Sequence, residues 1–394
     1  MGIVEIVLIF YFSLAVLYIL ILSIAGHFYK KKTFLKPLSF KRIAVFVPGY
    51  KEDAVILVVA EKLTQLDYPK EFFDIIIIAD SFQSETLQKL STLPVTLLTV
   101  DFDKRSKAKS LKYAFHTLAK PYDIAVILDA DNITQPDFLL KINEAACSGM
   151  IVIQTQRVAK NTNTAFAFLD ACSEAINNHL FRKGPNALGM SASLIGSGMA
   201  FDYSLLKGML PKIESVYEDR EIQLELARQG LKINFLEGVL VFDEKIDNAT
   251  SFQSQRRRWI FAQFNSLFHN FIKGHYMLFK GNLNFYNFAV LNNLFPPRVF
   301  SLVLLFILSV IATLFHTDFI VIWWALFSVF VFTLAIALPN KFYSKKLFLA
   351  LFHIPTAFLK LVQASLRMKG AGTFIHTTHT QVDIDSIFKK NDPN

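Results

Sequence analysis

The sequence predicts an α/β fold, with an open, mostly parallel sheet and covering helices placed between N- and C-terminal transmembrane helices. The chain has 394 residues, of which 53% are hydrophobic, and its longest apolar runs gather at the two ends. Between residue 43 and about residue 245, short runs rich in Ile and Val alternate with helical patterns. Continuous apolar strands of this kind are covered on both faces, which is how parallel sheets are built.

The first apolar segment runs from Gly2 to Gly26 and is interrupted by Glu5. At about 1.5 Å per helical residue, its length exceeds the roughly 30 Å hydrocarbon core of a bilayer. A signal peptide is disfavoured, because the run is long and lacks both a basic start and a small-residue cleavage site. A basic cluster begins at Lys30, and such clusters mark the cytosolic side. We therefore expect a transmembrane helix at residues 1–27, with the N-terminus outside and the next region cytosolic.

The central region is predicted as one domain over residues 40–250. Its strands are expected at Ile43–Val47, Asp74–Ala79, Val95–Val100, Ile124–Leu128 and Ile151–Thr155. Its helices are expected at Glu52–Leu66, Ser84–Leu90, Ser106–Leu118 and Asp137–Ala146. Because ligands of open α/β sheets bind at the carboxyl ends of the strands, the polar residues at those ends are the candidate site residues.

Carboxylates follow two of the predicted strands. Asp80 ends the second, and Asp129 and Asp131 follow the fourth. Two carboxylates separated by one residue repel each other unless a cation lies nearby. Carboxylate oxygens suit Mg²⁺ or Mn²⁺, which also bind phosphates. Taken alone, an acidic turn explains Asp129 and Asp131 equally well, and a helix N-cap is the favoured explanation of Asp80.

Two further polar groups follow along the chain. Gly196 and Gly198 would let the backbone approach a ligand or another strand closely. Glu218 and Asp219 open an amphipathic stretch. Acids in a first helical turn are ordinary dipole partners, and one of them could also act as a general base on an acceptor hydroxyl.

Gln255, Arg258 and Trp259 form the most specific pattern, because at helical spacing they share one face while Arg256 points elsewhere. An apolar stripe continues on the same helix at Ile260, Phe264, Leu267, Phe268 and Phe271. Residues 251–296 are therefore predicted as interfacial helices. A basic helix touching anionic lipid would explain the arginines, but not Gln255 together with Trp259.

The C-terminal third contains a second membrane signal. Val299–Phe315 and Phe319–Leu338 are separated by three residues and have basic outer ends, which predicts a transmembrane hairpin over residues 297–340. Polar residues interrupt Leu347–Leu366, so both a span and an in-plane or re-entrant segment remain open, the second being favoured. Residues 341–394 are predicted as a membrane-associated segment and a cytosolic tail.

Several function classes are disfavoured. The net charge is +9, but the basic residues concentrate at membrane flanks and in one short motif, so no nucleic-acid binding is expected. Cys147 and Cys172 are too few for a disulfide framework. A transporter should show more spans, with charges in repeats. A non-catalytic membrane scaffold is the other non-enzymatic alternative, and it should have lost Asp131 or Asp219, which are both present.

Taken in order, these groups resemble the membrane-bound family 2 glycosyltransferases, in the branch containing cellulose, chitin and hyaluronan synthases. The resemblance covers about residues 43–270. The matching segments are Val47–Glu52, Ala79–Ser81, Asp129–Asp131, Gly196–Gly198, Glu218–Asp219, Val241–Lys245 and Gln255-x-x-Arg258-Trp259. In the tail, residues 372–379 faintly resemble the gating segment of cellulose synthases, and a metal-binding role for His376 and His379 is disfavoured.

The chain departs from the family pattern at two positions. Lys51 and Lys112 stand where asparagine is usual, which keeps the identity of the donor open. Lys112 also belongs to a lysine cluster with Lys107 and Lys109. This cluster could attract a diphosphate or form a solvated face, and the solvated face is favoured.

The resemblance implies a GT-A-like fold and a metal-assisted, inverting hexosyl- or N-acetylhexosaminyltransferase that uses a UDP-sugar. Asp219 would be the catalytic base, and Asp129 and Asp131 would hold Mg²⁺ or Mn²⁺. The nucleotide-sugar would be bound by Pro48, Tyr50, Glu52, Asp80, Lys107, Asp129, Asp131 and Gly198. The acceptor and the diphosphate would be bound by Glu218, Gln255, Arg258 and Trp259.

The acceptor implied by the resemblance is a growing glycan or a lipid-linked molecule. Transfer of one sugar to a lipid phosphate is the alternative. The protein would be integral to a bacterial-type inner or plasma membrane, in contact with the lipid bilayer and with its catalytic domain in the cytosol. Since three or four membrane segments are few for lining a channel, a translocating synthase of this kind would need partner membrane subunits.

Overall fold

A computed structural model describes residues 2–103, 105–246 and 249–366; the tail segment with His376 and His379 lies outside them. The chain forms two compact units. Among the described residues, the helical unit contains 2–30, 162–191 and 246–366, and the sheet unit contains 31–161 and 192–245. The predicted central domain ran continuously from residue 40 to residue 250, whereas Thr162–Ser191 belongs to the helical unit.

Within the described residues, one eight-stranded sheet forms the centre of the sheet unit. Its strands are β1 (Ile43–Tyr50), β2 (Phe73–Asp80), β3 (Thr96–Val100), β4 (Ile124–Ile127), β5 (Ile133–Thr134), β6 (Val152–Ala159), β7 (Met199–Asp202) and β8 (Asn234–Asp243). Their spatial order is β3-β2-β1-β4-β7-β6-β8-β5. Parallel pairs join β3, β2, β1 and β4, and also β6 and β8, whereas β7 is antiparallel to both of its neighbours and β5 is antiparallel to β8. This mixed α/β sheet confirms the predicted fold class.

The helices occur in both units. They are α1 (Gly2–His27), α2 (Ile56–Thr64), α3 (Ser84–Leu90), α4 (Lys107–Thr117), α5 (Phe138–Cys147), α6 (Ala165–Asn178), α7 (Gly184–Ala187), α8 (Tyr203–Met209), α9 (Glu218–Arg228), α10 (Ala249–Phe279), α11 (Leu283–Tyr286), α12 (Asn292–Leu294), α13 (Arg298–Leu314), α14 (Ile320–Ala337), α15 (Lys345–Leu351) and α16 (Ile354–Leu366). Short 3₁₀ turns lie at Lys70–Phe72, Leu210–Lys212 and Asn340–Phe342, and π-helical turns at His179–Lys183 and Asn287–Leu291.

The sheet is buried because its central strands are continuous apolar runs. Residues 43–47 of β1 are fully buried. On one face, Ile56 of α2 and Phe138 of α5 pack in the same core cluster as β1 and β4. On the other face, Phe115 of α4 stacks on Phe46 with the ring centroids 4.5 Å apart. Helices therefore cover the sheet on both sides, and its polar side chains collect at the strand ends.

The helical unit contains the candidate membrane spans. Among the described residues, α1 and α14 are each long and apolar enough to cross a membrane. Two bent pairs, Leu283–Leu294 with Arg298–Leu314 and Lys345–Leu351 with Ile354–Ser365, would raise the number to four if each pair is one span. The second pair covers most of Leu347–Leu366 and is bent by 47°, so that stretch is not one straight helix.

The helices α1, α13 and α14 share one apolar core. Phe12 and Val16 of α1 pack with Leu305 of α13 and with Trp323 and Phe330 of α14. The helices α13 and α14 begin and end within a few residues of the two predicted segments, and the transmembrane hairpin itself stays a prediction.

Candidate active site

The predicted site residues of the sheet unit meet at the carboxyl ends of adjacent strands. Tyr50, the last residue of β1, lies in register with Asp80, the last residue of β2. On the other side of β1, the strand β4 ends at Ile127 and leads within two residues to Asp129. Side chains distant in sequence therefore share one edge of the sheet, as expected for an open α/β sheet.

Asp80 lies at one end of this edge together with an arginine that sequence reasoning missed. The Asp80 side chain is buried, and its Oδ1 accepts a hydrogen bond from Ser81 Oγ at 2.8 Å. Arg105 Nε is 3.5 Å from the same oxygen, and the Arg105 guanidinium carbon lies 4.7 Å from the centroid of the Tyr50 ring. This corner therefore offers an acceptor, a donor and an aromatic face side by side.

Three carboxylates form a cluster at the other end of the edge. Asp129, Asp131 and Asp243 each place one oxygen within 4.8 Å of the others. Asp243 reaches the cluster because β5 pairs with β8, with Ile133 opposite Phe242. Asn132 Nδ2 connects two of the carboxylates, since it lies 3.1 Å from Asp131 Oδ1 and 3.4 Å from Asp243 Oδ1. Sequence reasoning noted Asp243 within a matching segment but gave it no role as a ligand.

The cluster fits a divalent cation that binds together with a phosphate group. Its ligands are hard carboxylate oxygens, which Mg²⁺ and Mn²⁺ prefer. Basic side chains balance part of the negative charge: Lys245 Nζ is 2.7 Å from Asp243 Oδ2, and Arg157 Nε is 3.9 Å from the same oxygen. Asp131 is additionally held in place, because its Oδ2 accepts a hydrogen bond from Glu244 N at 3.1 Å.

Lys107 connects this carboxylate cluster to the segment that contains Gly196 and Gly198. Its Nζ forms an ion pair with Asp129 and donates a hydrogen bond to Gly196 O at 2.7 Å. Burial alone would lower the pKa of Lys107. The negative charges of Asp129 and Glu218 raise it, and their effect is the larger, so the pKa of Lys107 lies above its ordinary value. The prediction that the lysine cluster forms a solvated face is therefore wrong for Lys107. Lys109 is exposed, as that prediction expects.

Glu218 and Asp219 open α9 next to the same glycine. A Cβ added to Gly196 would lie 3.8 Å from Asp219 Oδ2 and 3.9 Å from Glu218 Oε1. Burial raises the pKa of Glu218 to about 8, with Lys107 opposing and Asp219 adding to the effect. Burial also raises the pKa of Asp219, against the attraction of Arg220. The pair therefore holds a proton to higher pH than ordinary carboxyl groups do.

Three other residues predicted to bind the donor, Gly198, Pro48 and Glu52, make contacts within the sheet unit itself. Gly198 has a φ of +61°, and a Cβ there would lie 2.4 Å from Thr155 Oγ1. The glycine is thus required for strand packing. Pro48 lies inside β1 opposite Ile78, and Glu52 O accepts a hydrogen bond from Val55 N at 3.1 Å. The roles of these three residues in donor binding stay predictions.

Gln255, Arg258 and Trp259 all lie on α10 of the helical unit. The helical pattern placed Arg256 on another face, but its guanidinium carbon lies 4.3 Å from the centroid of the Trp259 ring. Residues three apart on a helix are neighbours, which explains this contact. Arg256 also forms an ion pair with Asp170 of α6.

Comparisons with known proteins agree with this arrangement. The family model described as "Glycosyltransferase like family 2" matches residues 41–262, more than half of the chain. The mannosyltransferase PcManGT from Pyrobaculum calidifontis, solved with GDP-Man and Mn²⁺, is 16% identical with a TM-score of 0.56, covering 91% of this chain and 96% of that chain. This likeness shows a GT-A-like fold. S. aureus TarS with UDP-GlcNAc is 14% identical with a TM-score of 0.37, over 52% of this chain and 59% of that one. A search of curated protein sequences found no significant match.

Proposed function

Because this chain belongs to glycosyltransferase family 2, we propose that it is an inverting enzyme that moves a hexosyl or N-acetylhexosaminyl group from a UDP-sugar to a growing glycan or a lipid-linked acceptor. One arrangement supports this proposal most directly. Lys107 and Gly196 connect the carboxylate cluster with the acidic pair at the start of α9. The ligands for a cation and a candidate base therefore belong to one continuous site.

The corner around Asp80 supports the binding of a nucleobase of the donor. Ionised Asp80 can only accept hydrogen bonds, and Arg105 can only donate them. Uracil and guanine each present an N–H beside a carbonyl oxygen, which complements that pair. Cytosine and adenine present an amino group beside an acceptor nitrogen and complement it as well, so the choice of uracil comes from the family resemblance. Tyr50 adds a surface on which a base can stack. A UDP-sugar is the donor we propose, and a GDP-sugar satisfies the same pattern.

The diphosphate of the donor is assigned to the carboxylate cluster. Asp129, Asp131 and Asp243 would hold Mg²⁺ or Mn²⁺, which when bound neutralises diphosphate charge. Lys107 stays protonated at neutral pH, since its pKa is raised, and it supplies a fixed positive charge beside Asp129. The resemblance assigns further diphosphate and acceptor contacts to Gln255, Arg258 and Trp259, and Arg258 has the planar fork that pairs with phosphate oxygens.

Asp219 is the proposed general base. Inversion at the anomeric carbon needs a group that takes the proton of the acceptor hydroxyl on the side opposite the leaving diphosphate. A carboxylate whose pKa is raised by burial is a stronger base than an ordinary aspartate. Glu218 precedes Asp219, and the charge of Asp219 adds to the effect of burial that raises the pKa of Glu218.

The proposed location is a membrane with the sheet unit in the cytosol. The two candidate spans support membrane insertion, and the orientation follows from the basic residues after α1. Two of these residues belong to the sheet unit and contact β8: Lys32 Nζ donates to Asn234 Oδ1 at 2.8 Å, and a Cβ on Gly238 would lie 2.8 Å from Lys31 Nζ. An acceptor molecule anchored in the membrane would then lie at the same membrane surface as the enzyme.

The proposal is tested on full-length protein in detergent with a panel of UDP- and GDP-sugars and Mg²⁺ or Mn²⁺. Nucleoside diphosphate release is measured with an added lipid or glycan acceptor, and the anomeric configuration of the product by NMR. Asp219→Asn should lower kcat by about 10²- to 10⁴-fold. Asp202→Asn is the matched control, because Asp202 is exposed and caps α8, a role that asparagine also fills. No release with any donor, full activity in Asp219→Asn, or a retained configuration would each refute the proposal.

Transfer of a single sugar to a lipid phosphate is the second candidate. The number of candidate spans in the described residues, two or at most four, favours addition to a membrane-borne acceptor over a monomer that lines a channel. Mass spectrometry of the product separates the two, because a single addition gives one species and elongation gives a ladder.

A further inference from the structure

The loop that leads into β7 carries a fully buried serine, Ser197. Its hydroxyl contacts both ends of the acidic segment that follows β4. The Oγ atom accepts a hydrogen bond from Asp129 N at 3.1 Å and donates one to Asn132 Oδ1. The single O–H of the serine is therefore used within the protein, so its chemistry is directed at the neighbouring residues and not at a substrate.

The side-chain amide of Asn132 has one orientation that suits all of these neighbours. Its Oδ1 accepts from Ser197 Oγ and from Asp129 N, the latter at 3.2 Å. Its Nδ2 lies 3.1 Å from Asp131 Oδ1 and 3.4 Å from Asp243 Oδ1. An ionised carboxylate only accepts hydrogen bonds, so a flipped amide would place its oxygen against two acceptors. The donors at Oδ1 therefore keep the amino group turned toward the carboxylates.

This orientation matters for the carboxylate cluster. Asp131 and Asp243 repel each other when both are ionised. An amide N–H that faces both of them offsets part of this repulsion, which helps to keep their oxygens within 4.8 Å of one another. Ligands that are already in place bind a cation more tightly than ligands that must first be brought together.

Ser197 is itself held by a glutamine of β6. Gln154 is fully buried, and its Nε2 donates to Ser197 O at 2.9 Å and to Gly198 O at 3.2 Å. Its Oε1 accepts a hydrogen bond from Ile195 N at 3.1 Å. The loop is thus bound to the sheet on both sides of Gly196. Because the backbone of Ser197 is fixed in this way, its hydroxyl has a fixed place beside Asn132.

We propose that Ser197 is a positioning residue of the cation site. Its hydroxyl sets the orientation of the Asn132 amide, and the amide holds Asp131 and Asp243 at the separation that a divalent cation needs. Ser197 acts through Asn132 and contacts neither the cation nor the sugar. The inference rests on the proposed function, since it concerns the same carboxylate cluster, but cation binding tests it without any transfer of sugar.

The test measures the dissociation constant of Mn²⁺ for the full chain in detergent, by electron paramagnetic resonance of the free ion, without donor or acceptor. Ser197→Ala removes the hydroxyl and should bind Mn²⁺ about 10-fold more weakly, at the lower end of the losses caused by removing groups that orient metal ligands. Ser197→Thr restores a hydroxyl and should bind Mn²⁺ more tightly than Ser197→Ala. This rescue distinguishes the hydrogen bond from mere occupancy of the position.

A destabilised control separates positioning from loss of stability. Asp202 Oδ1 caps α8 by accepting a hydrogen bond from Leu205 N at 2.9 Å. Asp202→Ala removes this cap and should lower the melting temperature while leaving the Mn²⁺ affinity unchanged. Should Ser197→Ala not fold, Ser197→Cys keeps the shape of the side chain but offers only a weak donor. It should then bind Mn²⁺ more weakly than Ser197→Thr.

The remaining outcomes are decisive in either direction. Full Mn²⁺ affinity in Ser197→Ala, an equal loss in Asp202→Ala, or no rescue by threonine each overturns the proposal. An unmodified protein that binds Mn²⁺ but transfers no sugar refutes the proposed function and leaves the role of Ser197 standing. An unmodified protein that binds no Mn²⁺ refutes the cation site and the role of Ser197 together.

Discussion

Lys107 and Asp129 form an ion pair that connects the start of α4 with the loop after β4. The same ammonium group donates to Gly196 O at 2.7 Å, so three segments distant in sequence meet at one side chain. Asp129 is still 36% exposed. The pair therefore fixes the site while one carboxylate remains open to a ligand.

Replacing Lys107 by methionine should destabilise the protein by about 1 to 2 kcal/mol and raise the KM for the nucleotide-sugar. The loss should be below that of a fully buried pair, because solvent at Asp129 screens part of the interaction. Thermal unfolding and donor kinetics measure the two effects. Lys109→Met is the control on the same helix: Lys109 is exposed, so the change should stay within about 0.5 kcal/mol. Equal effects of the two substitutions would mean that the ion pair contributes nothing.

Asp243→Asn should weaken Mn²⁺ binding by about 10- to 100-fold, a loss typical of disturbed metal sites. The reason is that Asp243 supplies one of three carboxylates within 4.8 Å of one another. A titration of free Mn²⁺ by electron paramagnetic resonance, with and without nucleoside diphosphate, gives the affinity. Asp202→Asn on the exposed cap of α8 should leave it unchanged. Unaltered binding in Asp243→Asn would limit the site to Asp129 and Asp131.

The rate of transfer should fall as the pH drops through the raised pKa of Asp219, because the proposed base must be ionised to accept a proton. Glu218 has a pKa of about 8 because it is buried, so it is neutral below that pH and Glu218→Gln should leave this acid limb of the kcat/KM profile in place. The pH profile of the two proteins is compared with a saturating acceptor. An acid limb that moves to lower pH in Glu218→Gln would show that Glu218 is ionised there, which would contradict its raised pKa.

Glu218→Gln should also stabilise the fold, and more so at pH 8 than at pH 5. A carboxyl group whose folded-state pKa is raised binds its proton more tightly in the folded than in the unfolded chain. Its contribution to stability is therefore lost as the pH rises from the unfolded pKa, near 4.3, through the folded value of about 8. Glutamine stays neutral throughout. Thermal unfolding at the two pH values gives the comparison, and a gain that is independent of pH would contradict the raised pKa.

Glu5 should be a structural residue of the helical unit. Its Oε1 accepts hydrogen bonds from Thr317 Oγ1 at 2.8 Å and from Trp323 Nε1 at 3.0 Å. Glu5→Ala leaves the buried Trp323 without this acceptor and should cost about 1 to 3 kcal/mol. Glu5→Gln keeps an acceptor oxygen and should cost less. Thermal unfolding in detergent measures both, and equal losses would point to the charge rather than to the hydrogen bonds.

The sequence predicts the strands that are continuous apolar runs, including β1, β2 and β4, and it misses β5, β7 and β8. The strand β5 has only two residues, and β7 has four, as β4 does, but lacks the Ile and Val run that marks β4. In β8, Gly238 has a φ of +85° and lies at a register shift in the pairing with β6, so apolar alternation is interrupted. Short or bulged strands are recognised only through their neighbours, which the sequence does not supply.

The candidate site was predictable where a polar residue follows a predicted strand. Asp80 and Asp129 satisfy that rule. Asp243 follows the apolar run 239–242, but it was not recognised as a ligand because β8 is not predicted. Its approach to Asp131 depends on the pairing of β5 with β8. Arg105 gives no sequence signal, since it lies in a polar loop and reaches Asp80 only in the folded chain.

Gly198→Ala should destabilise the sheet unit by about 2 kcal/mol or more. The new Cβ would lie 2.4 Å from Thr155 Oγ1 and 3.0 Å from Val241 Cγ2, and the φ of +61° is unfavourable for alanine. Gly208→Ala is the matched control: Gly208 lies in α8 with no atom within 4 Å of an added Cβ, so the substitution should stabilise by about 0.5 to 1 kcal/mol. Chemical denaturation of both variants decides the point. Stability retained in Gly198→Ala would show that β6 and β8 can separate to admit a methyl group. The glycine at position 198 would then be explained by the close approach of a ligand rather than by strand packing.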